Sequence, residues 1–490
     1  MRKKSEARVE AYIFIASALF LACVFFSKFG DRYGIPVLLI FIFVGMLAGS
    51  EGVFKIDFDD ARATQDIGML CLILILFSGG FNTSFKAVRP VLKEGIVLAT
   101  LGVVLTALFV ALLCYFLLGF SLNDALLLGA IISSTDAAAV FAIMRSKGLS
   151  LKNNIAPLLE LESGSNDPMA IFLTIAVIEM ITLSQMPSLT GFLLTMTTQF
   201  ILAFVCAYIL GILMPFIVNK IKLGSPGLYP VFTLSWVFLA FALSQKIGAN
   251  GYLCVYLLGI VANTKEFVNK RALISFHEGV AWLAQVVIFI TLGLLATPSQ
   301  LGGVTLVGLG AAFMIMFIAR PVAVFLSLLF SRKFDKKEKL FISWVGLRGT
   351  VPIILATYPL AANIDSARFI FNIVFFIVIL SVLLQGVTLN PLAKILGLKE
   401  STEKPLSTNL PISYSTFRQY MLREDSSVIG KNIAELNLGE NFIILIVKRD
   451  GEYIKASGSL IFEPNDLLLI LCDDGEIFEE NIRTFEPEQQ

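Results

Sequence analysis

Charge is scarce in this chain: Asp, Glu, Lys and Arg make up only 15 % of its 490 residues, against roughly a quarter in a soluble domain. A soluble body of this size would lack the charge to cover its surface. The 57 % hydrophobic content and a mean hydropathy of +0.82 call for lipid instead. Histidine occurs once, at His277, which reads as a loop residue beside Glu278 with a structural or solvated role. The six cysteines lack CxxC or other ligand spacing and five lie inside apolar runs, so neither a disulfide framework nor a zinc site is expected. No Gly-x-Gly-x-x-Gly follows a strand, and no nucleophile with a base, metal cluster or phosphate loop is present, which argues against NAD binding and against an enzyme. Nor is there a basic patch laced with aromatics, so nucleic acid is not an expected partner.

What the chain has is apolar length. Measured against a span of ~20 residues, thirteen runs stand out, at about 9–27, 35–49, 67–81, 95–119, 122–144, 155–183, 192–218, 226–244, 247–263, 279–297, 301–330, 338–361 and 367–390. Loops after odd-numbered runs hold 18 Lys and Arg, whereas those after even-numbered runs hold only Lys55, Arg62, Lys246 and Arg368. Short cytoplasmic loops accumulate such residues. The alternation puts the N-terminus outside and the C-terminal segment in the cytoplasm, in the cell inner membrane. The basic start (Arg2, Lys3, Lys4, Arg8) dissents, but it lacks a clear small-x-small cleavage site.

An odd run in the middle divides the others into two halves, runs 1–6 and 8–13, the arrangement of inverted repeats. Run 5 then corresponds to run 12, and both are interrupted, by Ser133-Ser134-Thr135-Asp136 and by Gly346-Leu347-Arg348-Gly349-Thr350-Val351-Pro352. Paired broken helices are the best sequence pointer to a transport site. The expected fold is an all-α polytopic membrane protein of about thirteen helices, followed by a small α+β domain.

Five ionisable residues lie deep in these runs, roughly 10–18 Å from the helix ends by the rise of a helix: Asp136, Glu162, Asp167, Arg320 and Arg348. Each costs a few kcal/mol at the bilayer centre and so needs a reason. Together they leave one negative charge, which suits one monovalent cation or one proton. Spacing along run 6 sets Ser163 beside Asp167 on one face, a pair of hard oxygen ligands fitted to an alkali cation, and Glu162 beside Asn166 on the next. Glu162 is the better partner for Arg320 in a helix-tying ion pair, and Glu160 is expected at the interface. No metal beyond an alkali cation is implied.

These segments resemble the bacterial cation/proton antiporters of the sodium/proton exchanger superfamily, electroneutral branch. The resemblance rests on Ser134-Thr135-Asp136-Ala137, Glu162-Ser163-Gly164-Ser165-Asn166-Asp167-Pro168, Ala319-Arg320-Pro321 and Gly346-Leu347-Arg348-Gly349, in order over residues 9–395. It implies that Asp167 holds either cation or proton, with Asp136, Ser163 and the backbone around Thr135 completing the shell. It also implies the Glu162–Arg320 pair behind Asn166, a role for Arg348 where the broken helices cross, and a homodimer. Asn166 in place of a second aspartate implies one-for-one, electroneutral exchange of potassium, or else sodium, for protons. A potassium channel is disfavoured, because no Thr-Val-Gly-Tyr-Gly loop exists.

From Ser401 onward 16 acidic residues outnumber 8 basic ones, so the tail carries −8 and the rest +9. The expected division is a transmembrane domain at 1–398, a linker at 399–412 and a tail domain at 413–490. Residues 442–447 and 467–471 read as buried strands, Asp450-Gly451 as a hairpin turn, and 429–436 as a short helix entered through a glycine. The tail resembles the C-terminal half of the regulator-of-potassium-conductance module, although Asn465 stands where a glycine is common. That resemblance implies a regulatory nucleotide at the tail and no other cofactor.

Overall fold

The structure is a computed structural model; it describes residues 2–33, 37–136, 140–141, 144, 151–184, 188–399, 417–436, 438, 442–449, 452–472, 478–479, 481–482 and 484–485. The chain forms two units, Met1–Glu400 and Ser401–Gln490.

The first unit is helical. In chain order it contains α1 (Arg2–Tyr33), α2 (Val37–Ala48), α3 (Ala61–Asn82), α4 (Phe85–Leu118), α5 (Leu122–Ile132), α6 (Ile155–Leu183), α7 (Leu189–Ile221), α8 (Leu228–Lys246), α9 (Gly251–Asn263), α10 (Lys270–Leu295), α11 (Pro298–Ser327), α12 (Lys336–Trp344), α13 (Thr350–Ala361) and α14 (Ala367–Ile395). Every apolar run of the sequence meets one of these elements, and among the described residues eight of the helices are long and apolar enough to cross a membrane. Leu122–Ile132 and Thr350–Ala361 are among the shorter ones, as interruption of runs 5 and 12 requires.

Polar caps fix several helix starts. Asp60 accepts from the Ala63 N–H at α3, Asn250 from Leu253 at α9, and Asp335 and Glu338 close a capping box at α12. Two starts correct the sequence reading. α3 begins six residues before its apolar run and α10 nine before, because their first turns are polar yet helical. His277 is therefore a helix residue and not a loop residue. It is buried, its Nε2 lies 2.9 Å from Thr233 Oγ1, and Phe77 meets its ring edge-on.

Packing sorts the helices into two modules. α1, α2, α3, α7, α8, α9 and α10 pack on one another, as do α4, α5, α6, α11, α12, α13 and α14, with α3 against α13 and α9 against α6 joining the two sets. Within the first module α3 and α9 approach until backbones touch: a Cβ on Gly259 would stand 2.6 Å from the Phe81 nitrogen. In the second, α4 and α11 each contain a π turn, at Leu98–Gly102 and Ile315–Ala319. Runs 4 and 11 are partners under the two-halves scheme, and π turns concentrate at functional positions.

The second unit has a four-stranded antiparallel sheet in the order β1 (Phe417–Met421), β4 (Leu467–Leu471), β2 (Ile443–Arg449), β3 (Glu452–Lys455). The apolar strands read from sequence are the central pair, and β1 and β3 are the edges. Arg449 pairs with Glu452 across the hairpin; Asp450 and Gly451, expected to form its turn, lie outside the described residues. The 429–436 segment is a 3₁₀ turn at Ile433–Leu436 preceded by Gly430 at φ +78°. Asn465 has φ +68°, a left-handed conformation that asparagine tolerates best after glycine. Next to it, fully buried Asp466 accepts two bonds of 2.8 Å from Arg449 Nε and Nη2. This contact holds the guanidinium above its ordinary pKa. Arg449→Met removes the cation from a buried carboxylate and should weaken the tail by about 2–4 kcal/mol. Hydrogen exchange on the full chain should show faster exchange in β2 and β4 with the membrane helices unchanged.

Candidate functional site

α5 ends at Ile132 and the chain continues without helical bonding through Asp136; α12 ends at Trp344 and α13 starts only at Thr350. The two breaks meet. The Asp136 N–H donates to the Leu347 carbonyl at 2.8 Å. In return Arg348 Nη1 donates to the carbonyls of Ser133, 2.9 Å, and Ser134, 2.6 Å. Two further side chains brace the second break. Ser381 Oγ accepts from the Arg348 N–H at 3.0 Å and donates to Gln385 Oε1, whose Nε2 donates to the Trp344 carbonyl at 2.8 Å.

Electrostatics explains the residue types. The last carbonyls of α5 carry partial negative charge, which the Arg348 guanidinium offsets. The Asp136 carboxylate lies against Gly349, the residue preceding α13, where the first N–H groups carry partial positive charge. A Cβ at position 349 would collide with that carboxylate, so glycine is needed there for close approach.

α6 runs beside this crossing and supplies the remaining groups. Ser163 Oγ donates to the Thr135 carbonyl at 2.9 Å, and Asn166 Nδ2 to Thr135 Oγ1 at 2.6 Å. Asp167, 8 % exposed, accepts from Ser134 Oγ. The Glu162 carboxylate, 1 % exposed, pairs at 2.5 Å with Arg320 Nη2, 2 % exposed. The Arg320 side chain leaves α11 directly after its π turn. Asn166 Oδ1 is buried and has no hydrogen-bond partner among the described residues.

All eight residues selected from sequence thus converge: Thr135, Asp136, Glu162, Ser163, Asn166, Asp167, Arg320 and Arg348. Ala137 of the quoted motif lies outside the described residues. Sequence reading passed over Ser134 as a ligand of Asp167 and over Ser381 and Gln385. Ser134 had a signal, its place inside the polar break; the other two had none.

The transmembrane sodium/hydrogen exchanger family model matches residues 15–395. The chain belongs to the sodium/hydrogen exchanger family. A TrkA-C domain matches residues 417–482 of the same exchanger. The K(+)/H(+) antiporter NhaP of Alkalimonas amylolytica is 37 % identical over 472 residues, covering 95 % of this chain and 82 % of that protein. The K(+)/H(+) antiporter NhaP2 of Shewanella sp. (strain ANA-3) is 37 % identical over 470 residues, covering 94 % and 81 %. The solved sodium proton antiporter MjNhaP1 from Methanocaldococcus jannaschii aligns with a TM-score of 0.63 at 25 % identity, covering 77 % of this exchanger and 99 % of that chain. The family is one of transporters, and the multi-span body with a TrkA-C tail is its architecture here.

The Glu162–Arg320 pair yields a test within the exchanger. Glu162→Gln or Arg320→Met strands one buried charge and should each cost about 3–5 kcal/mol of stability. The double variant should recover part of it in thermal unfolding in detergent. Loss of transport at full stability in the single variants would assign the pair to ion exchange instead.

Proposed function

We propose that this protein exchanges one monovalent cation for one proton, potassium in preference to sodium, with Asp167 carrying each in turn. One observation supports Asp167 above the others: how the buried charges are offset. Glu162 and Arg320 neutralise each other, Arg348 is committed to backbone carbonyls, and Asp136 lies at the start of α13. Among the described residues no Lys or Arg pairs with Asp167, which has a serine hydroxyl for company. A carboxylate so placed is stable with a proton or with a cation and costly with neither. Ser163, Asp136 and the polar groups of Thr135 surround the position with oxygen atoms, the ligands an alkali cation takes.

Neutral Asn166 beside Asp167 supports single-charge turnover: one site charge, alternately covered by H+ or by the cation, moves no net charge across the membrane. The names of the two antiporters from Alkalimonas and Shewanella favour potassium, and the name of the solved archaeal relative keeps sodium as the second reading. The distribution of Lys and Arg supports an inner-membrane protein with the N-terminus outside and the tail in the cytoplasm. There the tail would meet a small cytoplasmic ligand such as a nucleotide. We take the working unit to be a homodimer, on family resemblance.

Asp167→Asn should abolish both potassium- and sodium-driven proton flux in everted vesicles while the protein still inserts and folds. The unaltered protein should exchange at a rate independent of an imposed membrane potential, and faster at a given low concentration of potassium than of sodium. Normal flux in the Asp167 variant, or current on a supported membrane, would refute the corresponding part of this reading.

A further inference from the structure

Glu160 is absent from the site described so far, yet it stands seven residues before Asp167 on α6, on the same helix face as Ser163, Gly164 and Asp167. At the rise of an α-helix this is about 10 Å, two turns nearer the end at which α6 begins. Glu162 and Asn166, on the neighbouring face, are sealed, whereas Glu160 and Gly164 are only half-buried. Exposure on this face of α6 therefore lies at its Glu160 end and falls away toward buried Ser163 and Asp167.

Two buried residues of the opposite module hold this entrance. Thr83, with no exposed surface at the end of α3, donates from Oγ1 to Glu160 Oε1 at 2.7 Å, and its carbonyl accepts from Asn263 Nδ2 at 3.1 Å. The Tyr256 ring fills the notch at Gly164, where a Cβ would strike it, and its hydroxyl lies 3.5 Å from the Glu160 carbonyl. The phenol thus stands between the two carboxylates.

We propose that Glu160 is the entry station for the monovalent cation, positioned by Thr83 and Tyr256 at the cytoplasmic mouth and supplying the ion to Asp167. This rests on the exchange reading above and adds a side-specific step to it. A negative charge in a narrow, low-dielectric mouth raises the local cation concentration, and the carboxylate and hydroxyl oxygens present are hard ligands for a partly hydrated alkali ion. If the residue served only to tie α6 to α3, a neutral amide would do as well, since Gln keeps an oxygen for the Thr83 hydroxyl.

The test is potassium/proton exchange measured from each face, in everted and right-side-out vesicles. Glu160→Gln should raise KM for potassium about two- to tenfold at the cytoplasmic face, change the maximal rate less than about twofold, and leave KM at the other face unaltered. Glu160→Asp should restore most of the difference, and added choline chloride should raise KM in the unaltered protein but not in Glu160→Gln. An unchanged KM, or an equal shift on both faces, overturns the proposal. Should Glu160→Gln fail to accumulate, Thr83→Val, which keeps the charge but releases the carboxylate, must raise the same KM, and no shift there overturns it as well. Failure of the underlying reading looks different, because it would show as exchange surviving in Asp167→Asn.

Discussion

Backbone that leaves the helical pattern inside a membrane exposes N–H and C=O groups for which the hydrocarbon has no partner, and each unsatisfied group costs several kcal/mol. This exchanger meets the constraint by laying its two breaks against each other. The bond from Asp136 to the Leu347 carbonyl and the bonds from Arg348 to the carbonyls of Ser133 and Ser134 serve both breaks at once. Everything polar nearby follows from that choice. A cation is needed at the end of α5, an anion is welcome at the start of α13, and glycine must separate them. The broken helices also leave Thr135 with a free-standing carbonyl and hydroxyl, which Ser163 and Asn166 of α6 engage. Oxygen-rich surroundings at mid-membrane are thus the by-product of solving a backbone problem.

The two-module packing adds a second level. Asp167 and Glu160 lie on α6, in one module, while Thr83 and Tyr256 belong to α3 and α9 in the other. Displacement of one bundle against the other is the usual route to alternating access, and here such a displacement would break the Thr83–Glu160 bond and shift the Tyr256 ring off Gly164. The helix-tying pair Glu162–Arg320, by contrast, lies within one module, where it can survive the movement.

Much of this was legible in the sequence. Deep charges in apolar runs are few enough to be enumerated, and physical cost gave the five charged residues a reason to be together; helical spacing added Ser163 and Asn166, and the family resemblance added Thr135. Polar helix starts were not legible: Arg62, Gln65 and Asp66 follow the Asp60 cap of α3, and Lys270, Arg271, His277 and Glu278 of α10 are helical through packing alone, whereas run-length reading stops where apolarity stops. Thr83, Tyr256, Ser381 and Gln385 also escaped, since a hydroxyl or amide in a membrane helix is common and only geometry shows what it touches. In the tail the central strands β2 and β4 declared themselves by continuous apolar residues. The edge strands did not, because sequences such as Glu452–Lys455 carry the charges that keep a sheet edge from pairing with another chain.

The π turns at Leu98–Gly102 and Ile315–Ala319 are each one residue wider than an ordinary helical turn. They are seams where chain length and side-chain direction are uncoupled. Deleting one residue from Ile315–Ala319 would let α11 run on as a regular helix, which keeps its apolar content and its span of the membrane. The same deletion would swing Arg320 by about 100° relative to the residues before the seam, out of reach of Glu162. Loss of a single codon among Ile315–Ile318, none of which is an ion ligand, would thus rewire the buried charge balance while leaving every motif spelled as before.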